Sequence, residues 1–157
     1  MMSFMAIPLR YTLAIGISYA TGFIGSLFIR SESLTWYEML VKPPLTPSAP
    51  FIMVMWLIIY GLIGIALGVL WSHTELWNPW VGNFLVGLAF NAAWVMFFFG
   101  FRVIFIALVD MVCLLIITLS LVLGAWDIER RAAYLMMPYL AWIVFALYLN
   151  AGIWLLS

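Results

Sequence analysis

Charge is what this sequence has least of. Of its 157 residues, six are Lys or Arg and six are Asp or Glu, so 8% are charged while 68% are hydrophobic. A soluble domain of this length has too much surface to cover with so few charges. The mean hydropathy of +1.22 points to lipid as the missing solvent. The length suits one domain, residues 1–157, and no more. The few basic residues are scattered, and without a basic stripe to follow a phosphate backbone the composition excludes a nucleic-acid partner.

Metal-binding and thiol chemistry are equally scarce. One cysteine, Cys113, excludes an intramolecular disulfide and says little about compartment. One histidine, His73, cannot join it in a usual zinc site, and paired histidine ligands for an intramembrane haem are absent, so no metal is expected. No G-x-S-x-G motif occurs, and His73 reads as a solvated side chain in a link. Asp110 is the only acid well inside an apolar run. Alone, it makes a poor proton relay and reads as structural.

Long apolar runs are abundant. A helix of ~20 apolar residues crosses the hydrocarbon core, and five runs qualify: Ile7–Ile29, Phe51–Trp71, Trp80–Gly100, Val103–Trp126 and Ala132–Leu156. The first is longer than the ~7–15 apolar residues of a signal peptide and lacks a small-x-small cleavage site, so it reads as a retained helix. Backbone groups in lipid must satisfy one another, and the runs show no period-two alternation, so helices rather than a barrel are expected. The predicted fold is an all-α integral membrane protein, a bundle of five transmembrane helices.

Three links are short: Ser72–Pro79, Gly100–Arg102 and Asp127–Arg131. Short links predict that sequential helices pack as antiparallel neighbours. The first link, residues 30–50, is long and aromatic. Leu34, Trp36, Tyr37, Leu40 and Val41 fit one face of a short interfacial helix that Lys42-Pro43-Pro44 would end. It reads either as an interface anchor or as a lid over a site. Arg10, Arg130 and Arg131 fall on one side of the membrane and Arg30, Lys42 and Arg102 on the other, so charge bias leaves orientation open. No internal repeat suggests an inverted-repeat transporter.

The polar and aromatic residues at membrane depth carry the functional signal. Asn91 and Asn150 should face the bundle, as glue between helices or, for Asn91, as a ligand contact. In the last span Tyr139, Trp142, Ala146, Asn150 and Trp154 follow helical spacing onto one face. Pro138 beside them should kink the helix or open its wall. Trp56 and Tyr60 lie one turn apart, as do Asn91 and Trp94. Gly64-xxx-Gly68 and Ala89-xxx-Ala93 allow close helix approach. Should these faces converge, they enclose a flat-walled apolar cavity with a few amide and hydroxyl tips, suited to a large planar ligand. Packing alone is the other reading.

The segments WYEMLVKP (36–43), WLIIYG (56–61), LAFNAAWVMFFFG (88–100) and PYLAWIVFALYLNAGIW (138–154) resemble the tryptophan-rich sensory protein and translocator protein family over nearly the whole chain. The resemblance implies a five-helix bundle, commonly a homodimer, that binds porphyrins and other tetrapyrroles between the helices under the first loop. It places ligand-binding positions at Trp56, Tyr60, Asn91, Trp94, Tyr139, Trp142 and Ala146, with Trp36, Tyr37 and Pro43 in the lid. The expected ligand is protoporphyrin IX, haem or another apolar small molecule, and no cofactor is required. Trp56 and Trp142 match the pair implicated in light-dependent porphyrin breakdown in some members. The setting is the lipid bilayer: the cell membrane in a prokaryote, or the mitochondrial outer membrane in an animal. Three departures stand out. The first loop reads Leu45-Thr46-Pro47-Ser48 where the family often has W-x-P-P. The tail Ile153–Ser157 lacks the basic residue of the sterol motif. On span three, Gly82 is followed four residues later by Val86. A binding and sensing protein ranks first, a transporter of porphyrin, lipid or sterol second, and a porphyrin-degrading enzyme third.

Overall fold

A computed structural model of the chain describes residues 6–75 and 78–157. Its described residues form six α-helices and one π-helical turn, with no strand. The helices are α1 (Ala6–Ser26), α2 (Ser31–Met39), α3 (Ala49–Ser72), α4 (Pro79–Val95), α5 (Ile104–Ile128) and α6 (Arg130–Leu156), and the π turn, Met96–Gly100, extends α4.

Local chemistry sets the boundaries. α4 starts at Pro79, whose missing N–H is no loss at a first helical position. Asn78 caps it, its side-chain oxygen accepting from the Trp80 N–H at 2.8 Å. Glu129 alone separates α5 from α6, and its carboxylate accepts from the Arg131 N–H at 3.1 Å. α1 ends earlier than the apolar run suggested, because Leu27, Phe28 and Ile29 close tighter i→i+3 turns onto Ile24, Gly25 and Ser26. The chain then bends by 76° into α2. α2 stops at Met39, short of the prolines, as Leu40 turns extended. α6 runs through Pro138 without a break.

α3, α4 with its π turn, α5 and α6 are each long and apolar enough to cross a membrane, and the bent α1–α2 pair completes five candidates. α1 is diluted by Arg10 and several small polar residues, yet its 21 residues extend ~31 Å. Burial has the expected polarity for lipid. On α3, Ile59, Ile63, Leu67 and Leu70 face inward and are fully buried, while Met53, Val54, Leu57 and Ile58 are exposed. An outer face of large apolar side chains is at home only in hydrocarbon. The fold is a helical membrane bundle.

The helices close a ring in the order α1, α3, α6, α5, α4. This corrects one expectation: α3 and α4, though joined by a short link, are not close-packed neighbours. Leu76 and Trp77 in the link between them lie outside the described residues. The bundle end at that link is tied by other residues. The Arg10 guanidinium on α1 donates to the carbonyls of Trp71 and Thr74. His73 is exposed, as a link histidine should be, and its Nε2 lies 3.6 Å from Glu129 Oε2 of the α5–α6 link. Close approach of α1 to α3 relies on missing side chains. A Cβ at Gly64 would fall 2.9 Å from the Ile15 Cα, and one at Gly68 would fall 2.7 Å from the Tyr11 ring.

Candidate functional site

The inner faces of α3, α4 and α6 meet in an aromatic centre. From α3 come Trp56 and Tyr60, stacked at 5.7 Å between ring centroids. Trp94 of α4 lies 6.4 Å from Trp56, and Trp142 of α6 meets Trp56 edge-on at 6.2 Å. These separations are ring contacts. The faces converge as helical spacing suggested, but the side chains touch instead of standing apart as the walls of an open cavity. Tyr60, Tyr139, Trp142 and Ala146 are buried, and Trp56 and Trp94 are half-buried. The Tyr60 ring also fills a notch on α1, where a Cβ at Gly22 would come within 2.5 Å of it.

Two amide relays cross this centre. Tyr60 Oη donates to Asn91 Oδ1 at 2.5 Å, and Asn91 Nδ2 donates to Tyr139 Oη at 3.2 Å. Trp94 Nε1 donates to Asn150 Oδ1 at 2.9 Å, and Asn150 Nδ2 donates to the Ile104 carbonyl at 3.2 Å. Each asparagine therefore joins three helices, which is the gluing role expected of an amide in lipid. One donor breaks the pattern. Trp142 Nε1 is buried and has no acceptor. Leaving such a group unpaired costs about 1–3 kcal/mol.

The residues expected in a lid pack at the loop end and not directly over Trp56. Trp36 and Tyr37 of α2 pack on Phe98 at 5.6 and 6.1 Å, and Tyr37 also meets Phe99 at 5.8 Å. Phe98 in turn stacks on Trp94 at 5.3 Å, so lid and aromatic centre share one continuous run of rings. The π turn creates this arrangement. Its wider winding, with the Phe101 N–H donating to the Met96 carbonyl at 2.8 Å, turns Phe98 inward to 2% exposure. Pro43 is buried against α6, where a Cβ at Gly152 would fall 2.6 Å from it, and Tyr148 Oη donates to the Pro44 carbonyl at 2.9 Å. Lys42 Nζ sits 4.7 Å over the Tyr37 ring. Leu45, standing where the family often carries tryptophan, is 82% exposed with a φ of 66°.

Several residues singled out in the sequence fall elsewhere. Trp154 leaves the α6 stripe: it is 43% exposed, and Ile153 takes the inner position at 2%. Trp154 packs on Phe105 instead, at 5.3 Å. Ala89 and Ala93 do not seat a helix of this chain. With Phe90, Phe97 and Asp110 they line an open hollow of about 330 Å³ on the outer side of α4 and α5. Asp110 is 6% exposed, and its Oδ2 has no hydrogen-bond partner. No group of three His, Cys, Asp or Glu able to hold a metal occurs among the described residues. Sequence reasoning missed Trp80. It begins the third apolar run, turns inward to 6% exposure and donates from Nε1 to the Leu121 carbonyl at 2.8 Å. Its only signal is the Asn-Pro start just before it.

The sequence has relatives. Residues 14–155 match the TspO/MBR family model. The chain is 35% identical over 146 residues to the tryptophan-rich protein TspO of Chlorobaculum tepidum, covering 90% of this chain and 92% of that one. The Archaeoglobus fulgidus protein of the same name is 35% identical over 140 residues, covering 88% and 90%. The translocator protein of Homo sapiens is 32% identical over 136 residues, covering 84% and 80%. Family match, membrane-spanning helices and coverage agree, and the chain is an integral membrane protein belonging to the TspO/MBR family.

Proposed function

We propose that this protein is a membrane receptor for a tetrapyrrole, protoporphyrin IX or a haem-like pigment, taken up between α3, α4 and α6 beneath the α2 loop. The observation that carries the reading is the Trp142 indole N–H, buried without an acceptor beside the Trp56 ring, which itself stacks on Tyr60. Buried donors in native cores are nearly always paired, so an idle one calls for a role. A ligand carboxylate or carbonyl oxygen would satisfy it. Binding requires the rings to part by about one aromatic thickness, ~3.5 Å. Ring-on-ring contacts would then be exchanged for ring-on-ligand contacts of the same kind. Trp56 and Trp94 are both only half-buried, and of the two Trp94 is held by its bond to Asn150.

Titration of protoporphyrin IX into purified protein, followed by tryptophan quenching, tests this. Wild type should saturate. Trp142→Phe keeps a ring but loses the donor, and should weaken binding about tenfold, the effect of ~1.4 kcal/mol. Trp56→Phe should weaken it through lost stacking. Unsaturable quenching, or both variants binding as wild type does, overturns the reading.

A further inference from the structure

A hollow of about 270 Å³ opens at the loop end of the bundle, and Phe99, whose ring meets Trp94, stands between it and the aromatic centre. Phe28 and Arg30 reach it from the α1–α2 corner, Glu32 and Ser33 from the first turn of α2, and Phe101 and Arg102 from the turn between α4 and α5. Two arginines from separate turns thus line one small space. Neither guanidinium has an ion-pair or hydrogen-bond partner among the described residues, and that of Arg102 only leans over the Trp36 ring at 6.0 Å. Glu32 adds one negative charge to the rim, leaving the lining net positive by one.

The backbone beneath both arginines is held in place. Ser33 Oγ accepts from the Arg30 N–H and donates to the Arg30 carbonyl, both at 2.8 Å. Arg102 has a φ of 58°, a left-handed conformation that glycine adopts freely and a residue with a Cβ adopts at a cost. Such strain at a non-glycine residue directs attention to its side chain. α1 ends at Ser26 and α5 begins at Ile104, so both arginines lie just beyond membrane spans, where lipid headgroups sit. Phe101 is 61% exposed beside them and offers an apolar wall.

We propose that this hollow binds a membrane phospholipid, its phosphate clamped between Arg30 and Arg102 and its acyl chains running down beside Phe28 and Phe101. Guanidinium forks match phosphate oxygens in geometry and charge. The clamp would bridge the α1–α2 corner to the α4–α5 turn and so hold α2 against the π turn. A free anion would lack the apolar half of the contact.

The test is thermal stability of the purified full chain in detergent with added phosphatidylglycerol, phosphatidylcholine, diacylglycerol or inorganic phosphate. Both phospholipids should raise the Tm by about 2–4 °C over diacylglycerol. Arg30→Gln and Arg102→Gly should abolish that difference. Arg102→Gly should also hold or raise the lipid-free Tm, since glycine relieves the backbone, and this separates a lost site from a damaged fold. Lys42→Gln, on the same membrane side, should keep the lipid response. Protection by diacylglycerol equal to that by the phospholipids overturns the phosphate clamp. Equal protection by inorganic phosphate overturns the lipid assignment, as does a full lipid response in Arg102→Gly.

Discussion

The seam between α1 and α3 and the aromatic centre between α3, α4 and α6 share a helix but are built on opposite rules. At the seam, Gly64 lets backbones touch, since the space there ends at the main chain of Ile15, while Gly68 makes room for the Tyr11 ring. At the centre, large rings fill the space and meet at 5.7–6.4 Å, adjustable side chain against adjustable side chain. Backbone contact cannot yield without moving a helix, whereas a ring can turn about χ1 and χ2. The centre alone contains an unpaired indole donor. On the proposed reading, one side of α3 stays fixed at Gly64 and the other reopens around a ligand.

The largest effect should come from closing the seam's missing space. Gly64→Val places its Cβ 2.9 Å from the Ile15 Cα, and the branched methyls reach further. Overpacking a close contact costs about 1–3 kcal/mol where side chains can adjust. Here backbone is the obstacle, so the loss should reach or exceed the top of that range. Folded yield and Tm should both fall sharply. A Gly64→Val protein as stable as wild type would show that α1 is free to move away from α3.

Next comes the relay that holds the centre in register. Asn91→Leu strands the Tyr60 and Tyr139 hydroxyls, which now share one amide. Unpaired buried hydroxyls cost about 1–3 kcal/mol in water-soluble cores, and interhelical hydrogen bonds in membranes measure nearer ~0.6 kcal/mol each. The expected loss is about 1–2 kcal/mol, smaller than at Gly64. Adding Tyr60→Phe and Tyr139→Phe should recover most of it, since no polar group is then stranded. Failure of the triple variant to recover would place the cost in packing.

These differences also mark what the sequence disclosed. The five spans were legible because ~20 apolar residues between polar links leave a lipid-exposed backbone no other solution. The α2 segment was legible from Trp36, Tyr37 and the prolines after them. Trp56, Tyr60, Asn91, Trp94, Tyr139, Trp142 and Ala146 converge because helical periodicity holds over three turns. It fails over longer distances: at 100° per residue Trp142 and Trp154 lie about 60° to opposite sides of Tyr139, so the ends of the stripe are ~120° apart and only the Trp142 side faces in. Ring order was not legible, because neighbours are chosen by complementary faces and not by link length, as α3 and α4 show. The π turn was hidden too, since MFFFG has no composition that distinguishes it from α-helix, yet it sets Phe98 beneath the lid. Whether a buried N–H finds an acceptor depends on tenths of an ångström, which no pattern records.

Trp142 supplies the smallest expected effect on stability and the sharpest contrast between the two regions. Trp142→Phe removes an unpaired donor whose burial costs about 1–3 kcal/mol. It also removes part of an aromatic ring, at ~25 cal/mol per Å² of buried apolar area plus the void left behind. The two terms are of similar size and opposite sign, so the Tm should stay within about 2–3 °C of wild type, equivalent to under ~1 kcal/mol. A contact optimised for the resting fold would not behave this way, and nothing at the α1–α3 seam should. A loss above ~2 kcal/mol would mean that the indole N–H already has an acceptor. The centre would then be as settled as the seam, and the argument for a ligand there would lose its main support.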